Sequence, residues 1–66
     1  MNDYTKAVKD ILDRNGWTFL RHGGKGSHDL WQSPDGKDTV AINHGMKSRH
    51  LANKILAKAG VGERFR

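Results

Sequence analysis

The chain has 66 residues, of which 35% are hydrophobic and 29% are charged, with a formal net charge of +5 and no cysteine. This length predicts a single domain over residues 1–66 and excludes a deep cofactor cleft, while the lack of cysteine excludes disulfide frameworks, thiolate metal sites and thiol nucleophiles. Because the sequence has neither a signal-peptide pattern nor a run of ~18 apolar residues, we expect a soluble, cytoplasmic protein with no membrane partner.

The first predicted element is an amphipathic helix. Its apolar residues recur at i, i+3, i+4, i+7 and i+8, the spacing of one helical face: Tyr4, Ala7, Val8, Ile11 and Leu12. Asn2 or Asp3 can cap its start by accepting a backbone N–H, and Gly16 is placed to end it in a left-handed turn.

Three strands follow, and the short connections between them predict an antiparallel meander. The strands are predicted at Trp17–His22, His28–Ser33 and Asp38–Asn43, with a glycine-rich connection after the first and a Pro34–Lys37 turn after the second. We expect at least two of three aromatic residues to be buried: Trp17, Phe19 and Trp31.

The second strand leaves two orientations open, because Leu30 and Trp31 point to opposite faces. If Trp31 lies inside with Asp29 at the edge, His28 and Gln32 fall on the open face of the sheet. If Leu30 lies inside, His28 points towards the helices.

The last predicted element is a helix with Ser48 as its N-cap and Gly60 as its end, where Val61 can make the accompanying apolar contact. Its apolar face consists of Ala52, Ile55, Leu56 and Ala59. We expect an ordered core from about residue 4 to 61 and a frayed tail at 62–66. The fold class is therefore α+β, a helix–strand–strand–strand–helix two-layer sandwich with the element order of a double-stranded-RNA-binding domain.

Positive charge is concentrated near the C-terminus, since residues 44–66 carry six basic residues and one acidic residue. This pattern favours nucleic acid as partner, although a solubilising surface would have the same composition. The four histidines match no structural-zinc spacing, so we expect no metal site and no cofactor: His22, His28, His44 and His50.

His28 is the candidate catalytic residue, because it follows a flexible basic connection and titrates near neutral pH. RNA supplies its own nucleophile, the 2′-OH, so a histidine with cationic groups suffices to cleave it. The alternative is that His28 is only a polar strand residue. Arg21 and Lys25 are the nearest candidates to stabilise phosphorane charge, and Ser27 is a candidate hydrogen-bond donor.

The order of several short motifs resembles the HicA-type (YcfA-like) toxins of bacterial toxin–antitoxin pairs. The motifs are a helix ending at Gly16-Trp17, Arg21 before Gly26-Ser27-His28, Trp31, a turn with Pro34, a third strand ending near His44, and Ile55–Val61. Asn43 stands where the family often has proline, and no role is carried over to His44.

The resemblance implies a double-stranded-RNA-binding-like fold, an mRNA interferase activity with catalytic His28, and a HicB-type antitoxin as protein partner. Our leading hypothesis is a metal-independent endoribonuclease that holds mRNA phosphates with a set of basic residues: Arg21, Lys25, Lys47, Arg49, Lys54 and Lys58. The alternatives are a non-catalytic module that binds structured RNA or a protein, and a small DNA-binding or phage-encoded regulator.

Overall fold

The structure is a computed structural model that describes residues 3–23 and 28–66. Its elements follow the predicted order: α1 Thr5–Arg14, β1 Thr18–His22, β2 His28–Gln32, β3 Thr39–Asn43 and α2 Arg49–Ala59. The strands form one antiparallel sheet in the order β1-β2-β3. The helix–strand–strand–strand–helix prediction is therefore confirmed.

Helix α1 is fixed at both ends by local contacts. Asp3 Oδ1 accepts the backbone N–H of Thr5 at 2.9 Å, which satisfies one of the donors that a helix start leaves without an internal partner. Gly16 follows the helix with φ +87°, a left-handed conformation that glycine adopts without steric cost. The Asp3 hydrogen bond and the Gly16 conformation both agree with the sequence expectation.

Helix α2 has the predicted cap at each end. Ser48 Oγ accepts the backbone N–H of Leu51 at 3.1 Å, and Gly60 takes a left-handed conformation with φ +71°. The N–H of Val61 then reaches the carbonyl of Leu56 at 3.4 Å, and the Val61 side chain packs on the core.

The core lies between the two helices and one face of the sheet. The helices pack against each other and against β3, whose Val40 and Ile42 are buried while the alternating residues of that strand are exposed. The most completely buried side chains come from both layers: Val8, Leu12, Ile42 and Leu56. The other sheet face carries no helix from the described part of the chain.

Strand β2 resolves the orientation that the sequence left open. Trp31 pairs with Val40 and packs half-buried against the core, so it lies on the helix-covered face. Leu30 pairs with the exposed Ala41 and lies on the uncovered face. Of the other aromatic residues, Trp17 is buried and Phe19 is 49% exposed.

A β-bulge interrupts β1 at Leu20. Phe19 pairs with Trp31, whereas Arg21 pairs with Leu30, so one residue of β1 has no counterpart on β2. Without that extra residue, the two-residue repeat of a strand would put Phe19 and Arg21 on the same face. The bulge therefore places Arg21 on the uncovered face.

The C-terminal segment lies against the helices, in contrast to the frayed tail expected for residues 62–66. Phe65 exchanges two hydrogen bonds with the side chain of Asn53, at 2.7 and 2.9 Å. Its ring lies 4.9 Å from that of Tyr4. The segment stays against the helices because the Asn53 amide on α2 satisfies both polar groups of the Phe65 backbone. The Phe65 ring at the same time contacts an aromatic neighbour.

None of the helices in the described ranges is long and apolar enough to span a membrane.

Replacement of Leu56 by alanine tests the position of the core. Because Leu56 is completely buried, we expect Leu56→Ala to lower the free energy of unfolding by about 2–5 kcal/mol in urea denaturation. Leu20→Ala, the same change at a residue 38% exposed on β1, is the matched control and should cost clearly less. Equal losses in the two variants would contradict the assigned core.

Candidate nucleic-acid interface

His28 lies on the face of the sheet that the helices leave uncovered. It pairs with Asn43 of β3, and it is half-buried. Its carbonyl accepts the N–H of Gly23 at 2.8 Å, which extends the pairing of β1 and β2 by one step. The imidazole is therefore not enclosed among the apolar side chains beneath the helices.

Gly23 provides the space that the His28 ring occupies. A methyl group on Gly23 would come within 2.7 Å of the three nearest ring atoms of His28, closer than any real contact of this kind. The ring thus lies directly over the Gly23 backbone. A side chain at position 23 would displace it.

Arg21 shares the uncovered face with His28. Its partner Leu30 is two residues from His28 along β2, so Arg21 and His28 are diagonal neighbours, whose separation in antiparallel sheets is about 7–8 Å. The Arg21 side chain is exposed. Arg21 and His28 therefore occupy neighbouring positions on one open surface.

The other predicted phosphate-binding residues that the structure describes are distributed over several grooves, and Lys54 borders two of them. Lys25 and Ser27 lie outside the described residues. Lys54 and Lys58 line a groove with Ala41 along β3, adjoining the uncovered face. Arg49 instead lines a groove with Arg64 and Arg66 on the outer side of α2, and the exposed Lys47 lies in the loop before α2.

Asp29 is the centre of a polar cluster on the opposite, helix-covered face. It is 4% exposed, and its two carboxylate oxygens accept three hydrogen bonds. Lys9 Nζ of α1 reaches Oδ2 at 2.8 Å. His22 Nδ1 at the end of β1 and His44 Nε2 after β3 reach Oδ1 at 2.7 and 3.1 Å.

These donors determine the ionisation of Asp29. Hydrogen bonds from Lys9 and then from His22 hold the pKa of the Asp29 carboxyl well below its usual range, although burial acts in the opposite direction. The carboxylate is therefore charged at neutral pH. It links α1, the end of β1 and the loop after β3 to β2.

Sequence reasoning missed this cluster. Along the chain, residues 22, 29 and 44 have no recognisable ligand spacing, and they meet only through strand pairing. The predicted first two strands, paired without a bulge, would place residue 22 opposite residue 28, and the register shift in β1 is what pairs His22 with Asp29. The bulge at Leu20 was also missed, since no glycine or proline marks it.

Comparisons of the chain with protein-family models, with curated proteins and with solved structures find no match.

The lowered pKa of Asp29 predicts a pH-dependent contribution to stability. A carboxyl group with a depressed pKa stabilises the fold above its unfolded pKa of about 3.9, and this contribution is lost as the pH falls through that range and below. We expect Asp29→Asn to be less stable than the wild type at about pH 7, and the gap to narrow towards about pH 3. Chemical denaturation at several pH values measures the difference in stability and its change with pH.

Asp10→Asn is the control, because Asp10 is an exposed carboxylate whose ion pair with Lys6 lies at the surface. Its removal should change stability little at any of these pH values. A gap between wild type and Asp29→Asn that stays constant with pH would show that the charge of Asp29 does not stabilise the fold.

Proposed function

We propose that this protein is an endoribonuclease that binds mRNA on the uncovered face of its sheet and cleaves it with His28, as a HicA-type toxin with a double-stranded-RNA-binding-like fold. The observation that carries the proposal is the position of His28, half-buried over Gly23 on the face without helices. An RNA strand can approach this imidazole directly.

The proposed reaction uses the 2′-OH of the substrate as nucleophile. His28 accepts the 2′-OH proton as the 2′ oxygen attacks the adjacent phosphorus. A bond forms between O2′ and phosphorus, the bond from phosphorus to O5′ breaks, and O5′ takes up a proton from water, while His28 later releases its proton to solvent. The products are a 2′,3′-cyclic phosphate and a 5′-hydroxyl end.

Arg21 supports the proposal because of the charge that develops during this reaction. The phosphorane gains negative charge on its equatorial oxygens, and a guanidinium on the same face stabilises that charge by hydrogen bonding. Arg21 is the cation that the strand register brings nearest to His28 among the described residues. We assign it the electrostatic role.

Lys54 and Lys58 support an RNA path that runs from His28 across the sheet. They line the groove along β3 next to Ala41, a residue of the uncovered face. Phosphates of a bound strand would pass from Arg21 to these two lysines. Arg49 and Lys47 lie further from this path, and we assign them at most long-range attraction.

The same surface is where we propose that a HicB-type antitoxin binds. A protein that covers the sheet face around His28 would exclude RNA, and acidic side chains on it would pair with Arg21 and with Lys54 and Lys58 of α2. Inhibition and substrate binding would then compete for one surface.

Cleavage of single-stranded RNA in the presence of EDTA tests the catalytic role. We expect His28→Ala to reduce the rate by about 10²-fold or more, and Gly23→Ala to reduce it as well, because the added methyl displaces the ring. An oligonucleotide with 2′-deoxyribose throughout should not be cut, and the RNA products should carry 2′,3′-cyclic phosphate.

His50→Ala is the matched control, since it removes an exposed imidazole from α2 and should cleave at the wild-type rate. Wild-type cleavage by a folded His28→Ala variant would exclude the proposed mechanism. If wild type and variant bind RNA equally and neither cleaves it, the chain is a binding module instead.

The salt dependence of RNA affinity tests the role of Arg21. In the non-cleaving His28→Ala background, each phosphate contact contributes about 0.7 to the slope of log affinity against log salt for single strands. Arg21→Ala should reduce the slope by about this amount. As a control, Arg14→Ala removes an exposed arginine of α1 that pairs with Glu63 and should leave the slope unchanged. Equal slopes in His28→Ala alone and in its combinations with Arg21→Ala and Arg14→Ala would contradict a phosphate contact by Arg21.

A further inference from the structure

The cluster around Asp29 contains three potential metal ligands. His22 Nδ1, Asp29 Oδ1 and His44 Nε2 all lie within 4.8 Å of one another. Each comes from a different strand or strand end, and Asp29 is the central member. We propose that these three residues bind a divalent transition-metal ion such as Zn²⁺.

The donor types match this class of ion. Two imidazole nitrogens and one carboxylate oxygen form a set that Zn²⁺ and neighbouring first-row metals accept, with the remaining position taken by water. Metal–ligand bonds of about 2.0–2.2 Å place tetrahedral ligand atoms roughly 3.3–3.5 Å apart. The 3.1 Å distance from His44 to Oδ1 is a few tenths of an ångström shorter than this, and the 2.7 Å distance from His22 is shorter by more than half an ångström. The three ligand atoms lie within 4.8 Å of one another, so the imidazoles must rotate to bring all three to one ion.

The side chains that must move are the exposed ones. The side chains of His22 and His44 are 71% and 47% exposed, whereas that of Asp29 is 6% exposed. The two imidazoles can therefore rotate outwards to admit an ion while the carboxylate stays in place. The site is open to solvent on the histidine side.

Lys9 fixes the orientation of the carboxylate. Its ammonium holds Asp29 Oδ2 at 2.8 Å, so Oδ1 is the oxygen left to face the histidines. Partners of this kind orient ligands in known metal sites. The positive charge of Lys9 also repels the metal ion, so we expect weaker metal binding than at a site with several thiolates.

Protons compete with the metal for this site. Without metal, both imidazoles direct a nitrogen at Asp29 Oδ1 as hydrogen-bond partners. Coordination requires a free lone pair on each nitrogen, so binding should strengthen as the pH rises. Among the described residues, the charged and titratable groups that face the site are Lys9 on α1, Asp29 on β2 and the two histidines.

The site is separate from the proposed catalytic face. Asp29 follows His28 on β2, and successive side chains of a strand point to opposite faces. The metal would bridge the ends of β1 and β3 across β2 on the helix-covered side. Its binding therefore does not depend on the proposed nuclease activity.

Titration of the 66-residue chain with Zn²⁺ after EDTA treatment and buffer exchange tests the proposal. Calorimetry should show one ion per chain, and the imidazole NMR signals of His22 and His44 should shift while those of His28 and His50 do not. We expect His44→Ala and His22→Ala each to weaken binding by about tenfold or more.

His50→Ala and His28→Ala are the controls, because each removes one imidazole from outside the cluster and should leave the affinity unchanged. Wild-type affinity in the His44→Ala and His22→Ala variants, or no binding by the wild type, would overturn the proposal. The RNA cleavage assay contains EDTA, so its outcome is independent of this one.

Discussion

The carboxylate of Asp29 lies on the helix-covered face of the sheet and accepts hydrogen bonds from Lys9, His22 and His44. A charged group this well shielded from water requires such partners, and they come from α1, the end of β1 and the loop after β3. Because side chains alternate along a strand, the inward position of Asp29 directs His28 outward. The candidate nuclease residue and the candidate metal site therefore depend on the same strand orientation.

The elements and their ends follow from local sequence, whereas the orientation of β2 does not. Ser48, Gly60 and Gly16 act through hydrogen bonds and backbone conformations within a few residues of themselves, so the chain order alone reveals them. On β2 either Leu30 or Trp31 could face the core, because both are apolar. Asp29 points inward although acidic residues are seldom buried without a partner. Its hydrogen-bond partners, which are distant in sequence, explain this position.

The basic C-terminal third is a second feature whose spatial arrangement cannot be read from the order of residues alone. The concentration of charge in residues 44–66 indicates an anionic partner, but the helical repeat of α2 spreads it around the helix, with Lys54 bordering grooves on both sides. Lys54 and Lys58 are one turn apart and lie together along β3. Arg49 is five residues from Lys54, about 140° around the helix, and lies on the outer side with Arg64. Among the basic residues that the structure describes, Arg21, placed by the bulge, is the one that the strand register brings beside His28.

The bulge at Leu20 has a consequence for association between copies of the chain. Strand β1 is an edge strand with one unpaired row of N–H and C=O groups, and it exposes two large apolar side chains, Phe19 and Leu20. A regular strand of this kind is a template for intermolecular pairing and aggregation. The extra residue breaks the even spacing of those groups and increases the local twist, which makes this edge a poorer template for a further strand.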